Sequence, residues 1–395
     1  MRRVARTALT ALAAVVTAGL VMPAAAAQVT QLHESARDPQ VTIGSTGSKA
    51  NLFRFYDSGR VATAWSAAVL SDYAPSGTPL GRVALLASST DYADALAAAP
   101  LAETLSAPVL LANADGTLTT AVTLELATYD TVIIVSGRGH VPDATAQTLI
   151  DRKVDVVRYA GSSRFDTAAA LSLASLYWHS VRATGGTQPG TSVQSWTAYL
   201  ANGRDFPDGL AAGPAAARDT NGIVLLTANS ELGTVTEAAL RGNFSAVRGL
   251  DAAVYTPLLD WWNRAAAGAA LTTFAVGADA ASAADGAGVT VSTAFVGSDR
   301  YETAALVAQS SIARGLVIGN YTVASGESFP DAVVAGAFAG NMGSPLLLTR
   351  AAALPASTVG VLEPSLVNSS FVVVFGGPGS VSDAVSAHLV QLLSW

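Results

Sequence analysis

The chain of 395 residues contains no cysteine. Disulfides, thiolate metal sites, thiol catalysis and a lipid-modified N-terminal cysteine are therefore excluded. Charge is sparse, at 13% of residues, and lysine is almost absent, with only Lys49 and Lys153 against 20 arginines. Two origins fit that bias: GC-rich coding, or a need for bidentate pairing with carboxylate or phosphate, which lysine does not supply. Catalytic signatures are missing as well, since G-x-S-x-G, S-x-x-K and H-E-x-x-H do not occur. The four histidines, His33, His140, His179 and His388, fall at unrelated places and read as surface or core residues rather than ligands. Distant carboxylate pairs for glycoside hydrolysis leave no local signature and stay open.

Long apolar runs are also lacking. The stretch from Ala8 to Val21 falls short of the ~20 residues a membrane span needs. Preceded by Arg2, Arg3 and Arg6 and followed by alanines ending at Ala27, it reads as an export leader over 1–27, cleaved after Ala27. That leader holds no acid and three of the 22 basic residues, so the exported chain carries a formal charge of −10 rather than −7. An acidic balance argues against nucleic acid, whose binders display a basic patch or stripe. No membrane span and no covalent sorting signal are expected in the exported protein, whose oligomeric state is left open.

What the chain does have is internal repetition. RFYDSGRVATA (54–64), RYAGSSRFDTA (158–168) and AFVGSDRYETA (294–304) place Arg60, Arg164 and Arg300 at equivalent positions, each followed by a fixed Thr-Ala. A second phrase follows each as STDYADALAAAP (89–100), GRDFPDGLAAGP (203–214) and GESFPDAVVAGA (326–337), with Asp94, Asp208 and Asp331 in register. A third reads PVLLA (108–112), IVLLT (223–227) and PLLLT (345–349). The same order three times means one unit triplicated. Boundaries follow at 28–50 for a leader or linker, then 51–157, 158–293 and 294–395 for the repeats, which average about 115 residues, an ordinary domain length. Arg60 and Arg164 lie 104 residues apart but Arg164 and Arg300 lie 136 apart, which places an insertion in the second repeat near 248–271, around Trp261 and Trp262. Those tryptophans either fill a local core or present a platform to sugars or a partner.

Within a repeat, continuous β-branched runs such as VALLAS (83–88) and TVIIVSG (131–137) alternate with Ala-rich helical segments. That alternation predicts mostly parallel, doubly covered sheets: α/β domains in tandem. In the second and third repeats, Ser163-x-x-Asp166 and Asp299-x-x-Glu302 predict helix starts that hold Arg164 and Arg300 in the first turn. An arginine at that partially positive end does not serve helix stability. The aspartates of the second phrase also sit at helix starts, where capping, pairing with arginine and direct ligand contact are all open. Both phrases fall at the carboxyl ends of parallel strands, the face on which open α/β sheets bind ligands. The glycine turns SGRGHV (136–141) and GGPGSV (376–381) complete no phosphate-loop pattern. No metal, nucleotide or other cofactor is expected.

The three phrases resemble the cell wall-binding repeat 2 family over essentially the whole exported chain, with the third copy (VGSDRYETA, SFPDAVVAGA, SPLLLT) the closest to pattern. The resemblance implies exported proteins of Gram-positive bacteria, held non-covalently by anionic wall polymers, teichoic-acid-like or similar polysaccharides. It also implies Rossmann- or Toprim-like domains packed as a pseudo-threefold triangle. The first copy departs from pattern with Asp57 where Gly161 and Gly297 stand and Val61-Ala62 for the aromatic-acid pair; the third has Ala294 for the leading arginine. The expected function is therefore secreted, non-catalytic wall binding through Arg60, Arg164, Arg300, Asp94, Asp208 and Asp331. An exported wall hydrolase or its accessory subunit, and an extracellular solute-binding protein, are the alternatives.

Overall fold

The computed structural model describes residues 29–32, 40–45, 50–56 and 79–393, less 206, 318 and 367–369. The expected leader over 1–27 lies outside them. Three strands come first: β1 (Val29–Leu32), β2 (Gln40–Ser45) and β3 (Ala50–Tyr56). The first unit contributes β4 (Val83–Ser88), β5 (Val109–Ala112), β6 (Thr131–Ile134) and β7 (Asp155–Arg158), all parallel in the order β5-β4-β6-β7. The second gives β8 (Ser195–Asn202), β9 (Gly222–Thr227), β10 (Ala270–Val276) and β11 (Thr293–Phe295), ordered β9-β8-β10-β11 and again parallel. The third adds β12 (Asn320–Ser325), β13 (Leu346–Thr349) and β14 (Ser370–Phe375). Three tandem, mostly parallel α/β units are thus present, as the alternation of buried runs and helical segments predicts.

The strands reveal an offset between the repeat in sequence and the unit in space. β7 opens the second sequence repeat yet completes the first sheet, and β11 opens the third yet completes the second. The third sheet is completed in the same way by β3, from the other end of the chain, which pairs parallel to β14 from Ser370↔Ala50 to Phe375↔Phe55. Residues 29–32 and 40–45, expected as leader or linker, extend this sheet as β1 and β2, antiparallel to one another and to β3.

Helices follow the strands: α1 (Ala93–Leu96), α2 (Ala99–Thr104), α3 (Thr120–Leu126) and α4 (Asp143–Ile150) in the first unit. The long α5 (Arg164–Ala183) packs on β9, and α6 (Pro207–Arg218) on β8 and β9. Next come α7 (Thr234–Leu240), α8 (Ala252–Ala265) and α9 (Ala278–Gly286). The third unit carries α10 (Arg300–Ala313), α11 (Phe329–Met342), α12 (Ala356–Ser365) and α13 (Asp383–Leu393). The equivalent helices α2, α6 and α11 pack against one another. Their Ala/Gly composition permits the close approach: a Cβ on Gly213 would lie 3.0 Å from the Cβ of Ala99, and one on Gly340 2.8 Å from that of Ala217. One core cluster consequently runs through all three units, with satellite cores on the outer faces of the first and third sheets. The third phrase is pure core, since β5, β9 and β13 are buried at every position.

The second-unit insertion is the helix α8 with its preceding turn, packed on α5. Trp261 and Trp262 are 4% and 2% exposed, so they fill a core and form no platform. Trp262 meets Trp196 and Phe244 edge to face and donates from Nε1 to the Gly242 carbonyl at 2.8 Å; Trp261 donates to Gly190 at 2.7 Å. Trp262→Ala should destabilise the protein by about 3–5 kcal/mol through the cavity and the orphaned carbonyl. Urea unfolding measures this, and binding of the folded variant to walls should be unchanged.

Candidate functional site

The first-phrase helices begin as their caps predict. Ser163 accepts from the Asp166 N–H at 3.2 Å, and Asp299 from the N–H groups of Tyr301 and Glu302 at 3.0 and 2.9 Å. The chain enters these helices so tightly that a Cβ on Gly297 would lie 2.4 Å from the Thr303 nitrogen, and one on Gly161 2.3 Å from the Asp166 Cβ. Each fixed threonine then accepts from that glycine, Thr167 from the Gly161 N–H at 3.0 Å and Thr303 from the Gly297 N–H at 3.2 Å.

The same hydroxyls face carboxylates across the unit boundary: Thr167 favours the charged form of Asp94 in the first unit, and Thr303 that of Asp208 in the second. Asp94 also accepts from the Gly137 N–H at 3.2 Å. Asp208 lies against Gly277, which has φ +90° and whose added Cβ would fall 2.1 Å from Asp208 Oδ2, so glycine is required there on both counts. In the third unit Asp331 accepts from the Ser380 hydroxyl at 3.0 Å, at the matching glycine turn. Asp94 is 6% exposed, and burial pushes the carboxyls of Asp94 and Asp208 above the usual aspartate range.

The far ends of two of these helices are pinned as well. Arg182, near the end of α5, grips Glu103 of α2 through both terminal nitrogens at 3.2 Å, and burial holds the Glu103 carboxyl up against the pull of Arg182 and Arg218. Arg314, just past α10, donates to Tyr199 Oη at 2.6 Å and pairs with Asp219 of the second unit. Each of α5 and α10 is thus tied to the preceding unit at both ends.

Arg164 and Arg300 stand at these junctions, and Arg60 lies outside the described residues. Arg164 Nη1 donates to the Gly203 carbonyl at 2.6 Å and Arg300 Nη1 to the equivalent Gly326 carbonyl at 2.8 Å, joining first and second phrases within a unit. Arg164 also faces the first unit: Asp91 Oδ2 lies 3.7 Å from Nη2, and its guanidinium sits over the Tyr92 ring, 5.7 Å from the centroid. His140 Nδ1 approaches the same Asp91 oxygen at 3.5 Å. Arg300 lies within electrostatic reach of Asp208. The aromatic beside each arginine packs on the second-phrase glycine, since a Cβ on Gly326 would meet Tyr301 Cε1 at 2.8 Å and one on Gly203 would meet Phe165 Cε1 at 3.2 Å.

The leading arginines, singled out only as part of the phrase, are clamps. Arg158 donates to the carbonyls of Ser136 and Val141 at 2.5 and 2.9 Å and reaches Asp143 at 3.3 Å. Arg54, 4% exposed, repeats this on the third unit, with Gly376 O at 3.1 Å, Val381 O, and Asp383 Oδ1 at 2.8 Å. The repeating local signal is the spacing of turn and acid, seven residues from Ser136 to Asp143 and from Gly376 to Asp383, which the arginines meet from 15 residues after it and 329 residues before it. Ala294 is explained too, because after β10 the chain passes from Gly277 directly into α9 and offers no such turn to clamp.

The chain belongs to the cell wall binding domain 2 (CWB2) family, matched at residues 54–146, 158–256 and 295–386. It is 26% identical over 308 residues to the N-acetylmuramoyl-L-alanine amidase LytC of Bacillus subtilis (strain 168), covering 78% of this chain and 52% of that protein. Among solved structures it is similar to Cwp6 from Clostridium difficile (TM-score 0.66, 19% identity, 93% of this chain and 51% of that one). It is also similar to Cwp8 from the same organism (TM-score 0.61, 20% identity, 86% and 52%). The chain spans about half the length of each of these relatives.

The raised aspartates set a pH dependence of known sign. Where the native state holds protons that the unfolded chain has released, from about pH 4 upward, stability falls as pH rises. Thermal unfolding between neutral and mildly acidic pH should therefore show the melting temperature climbing on acidification. An Asp94→Asn/Asp208→Asn double variant, which keeps the acceptors, should flatten the curve.

Proposed function

We propose that the chain is an exported, non-catalytic protein that holds the cell wall non-covalently by gripping an anionic secondary polymer at its unit junctions. Arg60, Arg164 and Arg300 are the polymer-facing groups in this reading. Asp94, Asp208 and Asp331 are the carboxylates that accompany them, the first two facing the next unit and the third held by Ser380 of its own. The observation that carries it is the placement of Arg164 and Arg300 at boundaries between units, on the strand-end face where α/β sheets take ligands. Arginine to phosphate or carboxylate gives the strong, charge-assisted kind of hydrogen bond. An acidic protein can make such contacts because screening at physiological salt acts over about 8 Å, so local charge outweighs distant carboxylates.

The finer architecture belongs to the same reading: Rossmann- or Toprim-like units in a pseudo-threefold triangle. Support comes from the mutual packing of α2, α6 and α11 and from the return of β3 to the third sheet. The Bacillus relative is named as an N-acetylmuramoyl-L-alanine amidase, and a role beside such an enzyme agrees with this assignment.

Sedimentation of the exported protein with purified walls, before and after removal of their anionic polymers, tests the reading. Binding should be lost with the polymers and should weaken steadily with added salt. Arg164→Ala with Arg300→Ala should lower wall affinity by at least about tenfold, roughly 1.4 kcal/mol. The melting temperature should move only by the loss of two carbonyl hydrogen bonds, about 1 kcal/mol each. Retention indifferent to both salt and these substitutions would refute it.

A further inference from the structure

Triplication in sequence suggests three separate sites, yet the second-phrase loops meet. Tyr92 of the first unit and Phe329 of the third touch edge to face, with ring centroids 5.5 Å apart. These positions are equivalent in the phrase, two residues ahead of Asp94 and Asp331. Both rings are half-buried, unlike the aromatics of the core. Beside Tyr92 stand Arg164 of the second unit, its guanidinium over the ring at 5.7 Å from the centroid, and Asp91 of the first unit, 3.7 Å from that guanidinium. All three units therefore contribute to one spot on the strand-end face.

The chemistry assembled there is that of sugar recognition. An aromatic face takes the apolar C–H face of a pyranose, and a few convergent polar groups fix its orientation. Carboxylates accept from ring hydroxyls, and a guanidinium takes an acid group on the sugar or in the adjoining link. The Arg164–Asp91 separation of 3.7 Å is longer than a hydrogen bond, so an incoming anion does not have to break one there.

We propose that Tyr92, Phe329 and Arg164 form a single seat for one pyranose of the bound polymer, with Asp91 receiving its hydroxyls and Arg164 its acid group. The seat rests on the wall-binding reading and sharpens it: the polymer is sugar-bearing, and one strand is gripped once across the three units.

Calorimetric titration with short polymer fragments tests this, using three probes: poly(glycerol phosphate) carrying glucosyl substituents, the same polymer without them, and a uronate-containing polysaccharide. The wild type should bind one sugar-bearing fragment per molecule. Preference for the glucosylated phosphate or for the uronate identifies which acid Arg164 receives. Tyr92→Ala and Phe329→Ala should each weaken the sugar-bearing fragment by about tenfold and leave the bare polymer unchanged, whereas Arg164→Gln should weaken every fragment that binds. Tyr92→Leu keeps apolar volume against Phe329, so reduced affinity in a variant with unchanged melting temperature isolates the aromatic face. Three fragments per molecule, or full affinity in Tyr92→Leu and Phe329→Ala, overturns the seat while leaving wall binding intact. Failure of the wild type to bind any probe or intact walls removes the wall-binding reading itself.

Discussion

The assembly depends on one small joint, where a threonine hydroxyl that accepts from a glycine N–H of its own phrase faces a carboxylate of the unit before it. A hydroxyl is both donor and acceptor, so one group serves a backbone N–H while favouring a neighbouring carboxylate. Without it the aspartate would lose a group that favours its charged form in a site from which water is largely withdrawn, where charge is costly. The joint explains why Thr-Ala and Asp recur together. It also sets the positions of Arg164 and Arg300, which begin the same helices.

Around the joints, packing is economical of space rather than of polar contacts. The helices at the centre carry alanine and glycine where they face one another, and one apolar core cluster passes between the units. That accounts for the low charge content and for the alanine-rich second phrases. Specific orientation is supplied by a few arginines whose planar fork meets several acceptors at once: Arg54 and Arg158 on loop carbonyls, Arg182 on Glu103, Arg314 on Tyr199 and Asp219. Lysine cannot make those forked contacts. The arginine bias is thus used inside the fold, whatever its origin in coding.

Pairing of β3 with β14 gives the third unit the same edge strand that β7 and β11 give the first two. Arg54 locks that pairing by reaching the turn after β14 from a position more than 320 residues away in sequence. The first phrase of the first copy therefore completes the last unit. Its arginine clamp is kept although other parts of that copy depart from the pattern.

Much was legible from residues alone. The triplication, the parallel α/β class, the helix starts at Ser163 and Asp299 and the second-unit insertion all follow from local patterns, because caps, strand runs and repeat spacing are properties of neighbouring residues. The tertiary structure alone decided who meets whom. That Thr167 serves Asp94, that Arg164 faces Tyr92 rather than an aspartate of its own phrase, that Trp261 and Trp262 are core, and that β3 closes the third sheet are contacts between distant segments. Periodicity carries no information about such partners, since each phrase offers the same groups to every neighbour. Only the packing of the units, set by small residues at the centre, selects among them.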